Sequence, residues 1–327
     1  MAHFDLPQDQ LARYRPELDV PDDLDDFWTR TLDEARSFDL DVSLVRVETG
    51  LTAVDVYDVT FSGFGGHRIK AWFVRPAGDA VVPAVVEYLG YGGGRGLPHE
   101  RLAWAAAGYG HLVMDTRGQG SGWGTGGSTP DPAPAGQGVG GFMTRGIEDP
   151  HEHYYRRLYT DGVRAVDAVR AIPGVDPARV AVTGVSQGGA VTLAVAGLAD
   201  GLVAAMPDVP FMCHLPRAVV LTDSYPYREV ADYLRTHRDA EARTMRTLSY
   251  VDAAILARTA TAPGLFSAAL MDLTCPPSTV FAAFHHYGHP AGSDIDVLRF
   301  NGHEGGEGLR WPRQRAFLAE LLADPLR

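Results

Sequence analysis

A serine between two glycines is the feature of this sequence that most suggests chemistry. Residues 180–190 read Val-Ala-Val-Thr-Gly-Val-Ser-Gln-Gly-Gly-Ala, which places Ser186 between Gly184 and Gly188. A strand-like segment precedes the serine and a helix-compatible segment follows it, and in that context Gly-x-Ser-x-Gly predicts a nucleophile elbow. The glycines let the strand and the helix approach without a Cβ between them. A chance match in a glycine-rich chain is the alternative, and the flanking segments favour the functional interpretation.

A serine hydroxyl is a weak nucleophile at neutral pH and needs a base that a carboxylate orients. In a parallel sheet these partners follow later strands, in the chain order Ser, Asp, His. Asp272 comes directly after the apolar segment 266–271, and His303 comes shortly after the strand-like segment 295–300. We therefore expect Ser186, Asp272 and His303 to meet at one rim of the sheet.

Each of these assignments has an alternative. Asp272 could instead cap the helix that follows it, and Asp208, which also comes after a strand-like segment, is a rival carboxylate. His303 could be a histidine of a surface loop. Three other histidines, in or just past a helical segment and not at a strand end, compete for the role of base: His285, His286 and His289. Three suitable residues at three strand ends in the right order are a rarer coincidence than any one of them.

An ester carbonyl under attack also needs donors for its developing negative charge. The backbone N–H of Gln187 lies at the start of the helix after the elbow, where an oxyanion is stabilised. The glycine-rich loop at residues 90–94 follows another apolar strand, and we expect its Tyr91 N–H to be the second donor. Each donor would contribute about 3 kcal/mol to lowering the barrier. A plain glycine turn is the alternative interpretation of this loop.

The elements that must position these groups alternate along the chain. Residues 44–75 predict antiparallel strands at a sheet edge, and strand and helix patterns alternate after residue 84. This order predicts an α/β fold with a mostly parallel central sheet and helices on both faces. We expect one domain over residues 1–327, with a helical extension at 1–40, a functional loop at 118–141 and a helical, lid-like insertion over the site at about 208–262.

Composition argues against several classes of partner. The chain of 327 residues has a net charge of −12 and a pI of about 5.4, with no cluster of basic residues. Nucleic acid and anionic membranes are therefore not expected as partners. No apolar stretch reaches membrane-spanning length and no secretory signal is visible, so we expect a cytoplasmic protein. Cys213 and Cys275 show no metal-ligand spacing, so no metal is expected, and a disulfide between them stays open.

Three motifs resemble those of a known family. They are Arg117-Gly118-Gln119, the elbow Gly184-x-Ser186-Gln187-Gly188, and His303-Glu304. Longer stretches at 141–146, 154–161 and 272–281 also look like family sequence. Together they resemble the acetyl xylan esterase / cephalosporin-C deacetylase family (carbohydrate esterase family seven), which has the α/β-hydrolase fold. The similarity runs from about residue 5 to the C-terminus.

The resemblance implies a catalytic triad of Ser186, Asp272 and His303, an oxyanion hole formed by the Tyr91 and Gln187 amides, and no cofactor. It implies removal of acetyl groups from sugars, xylo-oligosaccharides and cephalosporin C by a cytoplasmic hexamer whose active sites face an interior chamber. The family usually has a His-Gly-Tyr-Asn-Gly-Gly loop, whereas here Leu89 and Gly92 replace the His and the Asn. We expect this difference to affect substrate preference more than the reaction.

Other functions remain alternatives to this one. A buried Arg117 would brace loops near the elbow through several hydrogen bonds, and we prefer that structural role for it over substrate binding. For Gln187 we expect the backbone to matter more than the side chain. A different small-acyl serine hydrolase or an acyltransferase could use the same fold. A prolyl-oligopeptidase-type peptidase would usually carry propeller repeats, which this sequence lacks, and a non-catalytic binding protein would be expected to have lost part of the triad.

Overall fold

A nine-stranded mixed sheet forms the centre of the protein in a computed structural model, which describes residues 3–133 and 140–323. Within those ranges its strands are β1 Ser43–Arg46, β2 Val54–Ser62, β3 Arg68–Pro76, β4 Val82–Tyr88, β5 Gly110–Met114, β6 Val175–Val185, β7 Ala204–Asp208, β8 Leu265–Ala269 and β9 Asp294–Leu298. Their spatial order is β1-β2-β3-β5-β4-β6-β7-β8-β9. The first three strands are antiparallel to their neighbours, and the other six are parallel to one another.

Helices cover both faces of this sheet. In the described part of the chain they are α1 Gln8–Leu11, α2 Leu24–Arg36, α3 Ala103–Ala106, α4 Tyr154–Ala171, α5 Gln187–Leu198, α6 Leu215–Leu221, α7 Tyr227–Thr236, α8 Glu241–Ser249, α9 Ala253–Leu256, α10 Pro277–His286 and α11 Arg310–Ala323. Short 3₁₀ turns lie at Phe64–Gly66, Ala257–Thr259 and Glu307–Leu309. The predicted α/β architecture, with a mostly parallel sheet between helices and antiparallel strands at one edge, is confirmed.

The central strand β6 shows why both faces are covered. Successive side chains of a strand point to opposite faces of the sheet. Val180 and Val182 accordingly pack in the core formed with α4 and α5, whereas Ala181 between them packs in the core on the other side, against residues of α11. All three side chains are fully buried. A strand buried on both faces therefore appears in sequence as a continuous apolar run.

One boundary differs from the sequence-based one. The insertion expected from about residue 208 begins after Asp208, because Asp208 is the last residue of the strand Ala204–Asp208. Its pairing with Ser267 of β8 and Val185 of β6 extends the strand to that point. In the loop expected at 118–141, the described residues form no helix or strand, and residues 134–139 lie outside the described ranges.

The segment between β7 and β8 contains α6, α7, α8 and α9 and, in its described residues, no strand, as its sequence pattern predicts. Tyr225 and Pro226 of this segment lie at the cavity that contains Ser186. Helix α2 of the N-terminal region packs against the same segment, and the Trp28 indole N–H donates to the carbonyl of Tyr250 at 2.9 Å. Of the helices in the described ranges, none has both the length and the apolar character that crossing a bilayer requires.

Candidate active site

Ser186 lies on a sharp turn between β6 and α5, with φ 59° and ψ −117°. This conformation is rarely adopted by a residue with a side chain and costs of order 1–3 kcal/mol. A Cβ on Gly184 would lie 2.4 Å from the Gly188 carbonyl, and a Cβ on Gly188 would lie 2.1 Å from the carbonyl oxygen of Tyr88. Backbone contacts this close leave room only for hydrogen, which is the physical reason for glycine at both positions.

His303 connects Ser186 to Asp272. Its Nε2 lies 2.9 Å from Ser186 Oγ, and its Nδ1 lies 2.9 Å from Asp272 Oδ2. Because an ionised carboxylate only accepts hydrogen bonds, the proton of a neutral imidazole lies on Nδ1, and Nε2 accepts from the serine hydroxyl. The three side chains come from the ends of β6, β8 and β9, and the structure brings them together in the expected order.

Asp272 uses its two carboxylate oxygens differently. Oδ2 faces His303, while Oδ1 accepts the backbone N–H groups of Thr274 and Cys275, each at 2.8 Å. The side chain is fully buried. The capping role considered as an alternative therefore exists beside the contact to histidine, although the residue caps a turn and α10 begins later, at Pro277.

The rival residues have other partners. Asp208 is 6% exposed and accepts from Arg310 Nε at 2.7 Å and from Gln314 Nε2 at 2.8 Å, and burial raises its pKa. His285 Nδ1 and His286 Nε2 donate to the carbonyl oxygens of Tyr14 and Pro16, which holds the N-terminal segment on the core. The Nδ1 of His289 is buried and has no partner among the described residues. None of these side chains makes a hydrogen bond to Ser186 in the described ranges.

The two expected oxyanion donors come from two separate segments, Tyr91 from the loop after β4 and Gln187 from the first residue of α5. Within residues 3–133 and 140–323, neither backbone N–H has an acceptor, so both are free to bind a ligand. The indole N–H of Trp123 donates to the Tyr91 carbonyl at 2.7 Å. Tyr91 also lines the cavity with Ser186 and His303. Two free donors beside a serine can stabilise negative charge on a carbonyl oxygen.

The side chain of Gln119 links the two donor segments. Its Oε1 accepts the N–H of Gly92 at 2.6 Å, and its Nε2 donates to Gln187 Oε1 at 2.9 Å and to the Tyr154 hydroxyl oxygen at 3.0 Å. The Gln187 side chain is fully buried and also accepts from the Tyr155 hydroxyl. The expectation that the backbone of Gln187 matters more than its side chain therefore understates the side chain. Sequence reasoning missed Tyr154 and Tyr155, although they begin one of the stretches that resembles the family.

Arg117 lies beneath this network. Its fully buried guanidinium donates to both carboxylate oxygens of Asp161, at 2.5 and 2.7 Å, and to Asp131 at 3.3 Å. Burial alone would lower the pKa of Arg117, but the Asp161 carboxylate outweighs it and raises the pKa above the ordinary value. These bonds join the loop after β5 to α4. Gly118 next to it has φ +68°, which favours glycine.

Backbone conformation explains one of the two differences from the loop of the family that the sequence resembles, the glycine at position 92. Gly92 has φ +80°, in the left-handed region where glycine and asparagine are the residues most readily accommodated. The backbone therefore keeps the same turn with glycine in place of asparagine, while a polar side chain is lost. Leu89, in place of histidine, is 3% exposed and lines the cavity.

A cavity of about 730 Å³ opens above the serine. Its lining combines Ser186, His303 and the Tyr91 loop with the aromatic rings of Trp123 and Tyr225, which are 50% and 60% exposed. The volume lies within the range of small-molecule sites, about 300–1,000 Å³. It is large enough for the alcohol part of an ester as well as for a small acyl group.

Both cysteines are free thiols and buried. Cys275 lies within 4.8 Å of ligand atoms of Asp272 and His303. Burial raises the pKa of its thiol well above the usual value. Asp272 and His303 already bond to each other and to Ser186. The donor set therefore fits a Ser–His–Asp arrangement better than a metal centre.

Comparison with known proteins relates the whole chain to esterases. The profile of the acetyl xylan esterase (AXE1) family matches residues 1–321. The acetyl esterase Axe7A of Xylanibacter ruminicola is 27% identical over 278 residues, which cover 83% of this chain and 61% of that protein. The chain thus matches less than two thirds of the length of this curated relative.

Solved structures agree with the profile. The acetyl xylan esterase from Paenibacillus sp. R4 has a TM-score of 0.90 and 38% identity, covering 96% of this chain and 99% of that chain. Acetyl xylan esterase 1 from Thermoanaerobacterium sp. JW/SL YS485 has a TM-score of 0.89 and 32% identity, covering 98% and 100%. An acylaminoacyl peptidase from Pyrococcus horikoshii, at TM-score 0.58 and 16% identity, covers 84% of this chain and 42% of that one and shows the shared α/β-hydrolase fold alone.

Proposed function

The chain belongs to the acetyl xylan esterase (AXE1) family of carboxylic ester hydrolases, and from this membership we propose that it is a serine esterase that removes acetyl groups from acetylated sugars and xylo-oligosaccharides. The observation that carries the proposal is the continuous hydrogen-bonded chain Ser186–His303–Asp272, with both links at 2.9 Å, whose Ser186 and His303 line a cavity together with Tyr91. In this proposal Ser186 is the nucleophile, His303 the base and Asp272 its orienting carboxylate.

Acylation follows from this geometry. Ser186 Oγ attacks the acetyl carbonyl carbon while its proton passes to His303 Nε2. The carbonyl oxygen becomes an oxyanion, which the N–H groups of Tyr91 and Gln187 stabilise. Asp272 holds the imidazolium through Nδ1. The C–O bond to the sugar then breaks, and His303 returns the proton to the departing sugar oxygen.

Deacylation repeats the same steps with water in place of the sugar. His303 takes a proton from water, whose oxygen attacks the acetyl carbonyl on Ser186. The same two amides stabilise the second oxyanion. The bond to Oγ breaks, the serine recovers its proton from His303, and acetate leaves. The cycle consumes one water and needs no cofactor.

Cephalosporin C is a further substrate in this proposal, by resemblance to the family. It carries an acetyl ester, whose carbonyl carbon Ser186 would attack as in an acetylated sugar. Four charged side chains line the cavity besides His303: Glu87, Arg101, Glu304 and Glu307. Arg101 donates to Glu87, so the lining carries a surplus of negative charge. We therefore expect uncharged acetylated sugars to react faster than this anionic compound, with a difference that shrinks as salt increases.

We also propose the organisation and assembly that the resemblance implies. The chain would form one α/β-hydrolase domain, with the helical segment at about 208–262 acting as a lid and residues 1–40 as an extension. Six copies would enclose a chamber that admits only small substrates, in the cytoplasm. Light scattering during size-exclusion chromatography tests the hexamer directly, because a monomer would have one sixth of the mass.

Replacement of the serine tests the reaction. Ser186→Ala should lower kcat for 4-nitrophenyl acetate and for acetylated xylobiose by about 10⁶-fold, as for other serine hydrolases. It should also abolish labelling by a fluorophosphonate probe while leaving the circular-dichroism spectrum unchanged. Ser249→Ala, at a half-buried serine of α8 whose hydroxyl donates to the Arg246 carbonyl, is the matched control and should behave as the wild type. Retained turnover in Ser186→Ala would show that another residue is the nucleophile.

Two measurements separate the alternatives. Release of free acetate from the sugar supports hydrolysis, whereas acetyl transfer to an added alcohol would indicate an acyltransferase. Butyrate esters cleaved as fast as acetate esters would indicate a broader small-acyl hydrolase.

A further inference from the structure

Glu229 is a buried acid that contacts the oxyanion loop without belonging to it. It lies on α7, in the helical segment between β7 and β8, and is 3% exposed. The Tyr91 hydroxyl donates to its Oε1 at 2.6 Å. We propose that Glu229 is a positioning residue, which sets the direction of the Tyr91 backbone N–H at the oxyanion hole by holding the Tyr91 side chain. The inference rests on the proposed function, because it takes this N–H as an oxyanion donor.

The turn that carries the Tyr91 N–H has one side chain by which it can be held. Residues 90–93 read Gly-Tyr-Gly-Gly, and the N–H of Gly93 closes the turn on the carbonyl of Gly90 at 3.1 Å. This bond ties the two ends of the turn together. Two side chains contact the backbone of the turn. The Trp123 indole N–H donates to the Tyr91 carbonyl, and Gln119 Oε1 accepts the Gly92 N–H. The backbone N–H groups of Gly120 and Gly122 donate to the Gly92 carbonyl, at 3.2 and 2.9 Å. The phenol of Tyr91 is the side-chain attachment of the turn, and it ends on Glu229.

The hydrogen bonds around the phenol have a fixed direction that requires a carboxylate. The N–H of Phe142 donates to the Tyr91 hydroxyl oxygen at 2.5 Å, so the hydroxyl proton must point elsewhere. It points to Glu229 Oε1, while Oε2 accepts the N–H of Met143 at 2.9 Å. Two donors thus converge on one side chain that only accepts. A glutamine there would direct its NH₂ group toward one of the two donors.

Packing reinforces this placement. A Cβ on Gly141 would lie 2.1 Å from Glu229 Oε1, so the loop backbone lies directly against the carboxylate. Burial raises the pKa of Glu229, and the hydrogen bonds from Tyr91 and the loop N–H groups, followed by the guanidinium of Arg145, oppose that rise. A buried acid contributes little net stability compared with an apolar side chain of its size. Its contribution here is therefore orientation of its partners.

Tyr91→Phe and Glu229→Gln test the inference on the full-length protein. Tyr91→Phe removes the hydroxyl and keeps the ring and the backbone N–H. We expect kcat for 4-nitrophenyl acetate, expressed per serine labelled by a fluorophosphonate probe, to fall about 10- to 100-fold, below the 10²–10³-fold loss of a whole oxyanion donor. KM should change less than threefold. Affinity for methylboronic acid, whose tetrahedral serine adduct carries a negative oxygen, should fall in parallel with kcat.

A double-mutant cycle shows whether the two residues act through one bond. If they do, Tyr91→Phe combined with Glu229→Gln should lose no more kcat than the more damaging single change. The matched control is Tyr159→Phe, which removes a fully buried hydroxyl that donates to Val251 of the same helical segment at 3.2 Å. This control should lower the melting temperature and leave kcat per labelled serine unchanged.

Two results would overturn the inference. Wild-type kcat per labelled serine in Tyr91→Phe and in Glu229→Gln would show that the contact does not position the donor. Additive losses in the double variant would show that the residues act separately. A wild-type protein that neither labels nor releases acetate would instead refute the proposed function, which makes the two failures distinguishable. If Tyr91→Phe does not fold, Glu229→Gln alone decides: a parallel fall in kcat and in affinity for methylboronic acid supports the inference, and wild-type values of both overturn it.

Discussion

The elbow and the oxyanion loop supply one backbone donor each, yet they are held in different ways. Steric contacts among three neighbouring backbone segments fix the elbow, where Gly184 and Gly188 leave no space for a side chain. Hydrogen bonds from distant residues fix the loop at Tyr91, through Trp123, Gln119 and Glu229. Five residues of sequence therefore describe the first region, whereas the second depends on residues up to 138 positions away.

The largest expected effect tests the steric side of this comparison. Gly188→Ala would place a Cβ 2.1 Å from the backbone oxygen of Tyr88, where no flexible side chain can move away. We expect loss of soluble protein, or a melting temperature lowered by more than 10 °C with no probe labelling. Gly308→Ala is the control, because nothing lies within 4 Å of its Cβ position. A Gly188→Ala protein with normal labelling would show that the elbow does not need this close approach.

An intermediate effect, on stability, concerns His153, which bonds the Met143 carbonyl in the loop that contacts Glu229. His153 is fully buried, its Nε2–H donates to the Met143 carbonyl at 3.0 Å, and its Nδ1 accepts the N–H of Tyr155. Burial lowers the pKa of His153 from 6.5 to about 4. A lowered histidine pKa means that the folded state favours the neutral ring. Its contribution to stability is complete above pH 6.5 and declines as pH falls toward 4, by up to about 3 kcal/mol.

Urea unfolding between pH 7 and pH 4 measures this contribution of His153 to the free energy of unfolding. His153→Asn keeps a side-chain acceptor at the start of α4 and removes the titration, so its free energy of unfolding should fall less steeply with acid. Equal slopes for variant and wild type would show that His153 does not contribute to the acid sensitivity.

The smallest expected effect tests the link between the two regions. Gln119→Met removes the bonds to Gly92, Gln187 and Tyr154 at similar volume, and we expect kcat to fall about 10- to 50-fold as both donors lose their common partner. Gln314→Met is the matched control, since Gln314 is 7% exposed and bonds Asp208 instead. Equal losses of kcat in the two variants would show a general cost of removing a buried amide.

The same contrast explains what sequence could predict. The elbow, the parallel sheet and the strand-end positions of Asp272 and His303 follow from local patterns and chain order, and all could be placed in advance. The insertion was predicted as helical, but the contact of its Glu229 with Tyr91 could not be, because it joins segments whose mutual placement depends on packing. The buried side chain of Gln187 was undervalued for the same reason. Asp208 was considered as a rival acid because a strand end indicates position and does not indicate which side chain faces the cavity.

Trp123 gives the site an intrinsic optical probe. It is the only one of the five tryptophans with half of its surface exposed, and its indole N–H bonds the carbonyl of Tyr91. Trp28 and Trp104, by contrast, are almost completely buried. Indole emission shifts in wavelength when water around the ring is displaced or when its N–H partner moves. Fluorescence of the unlabelled protein should therefore follow occupancy of the cavity in real time, without a chromogenic ester.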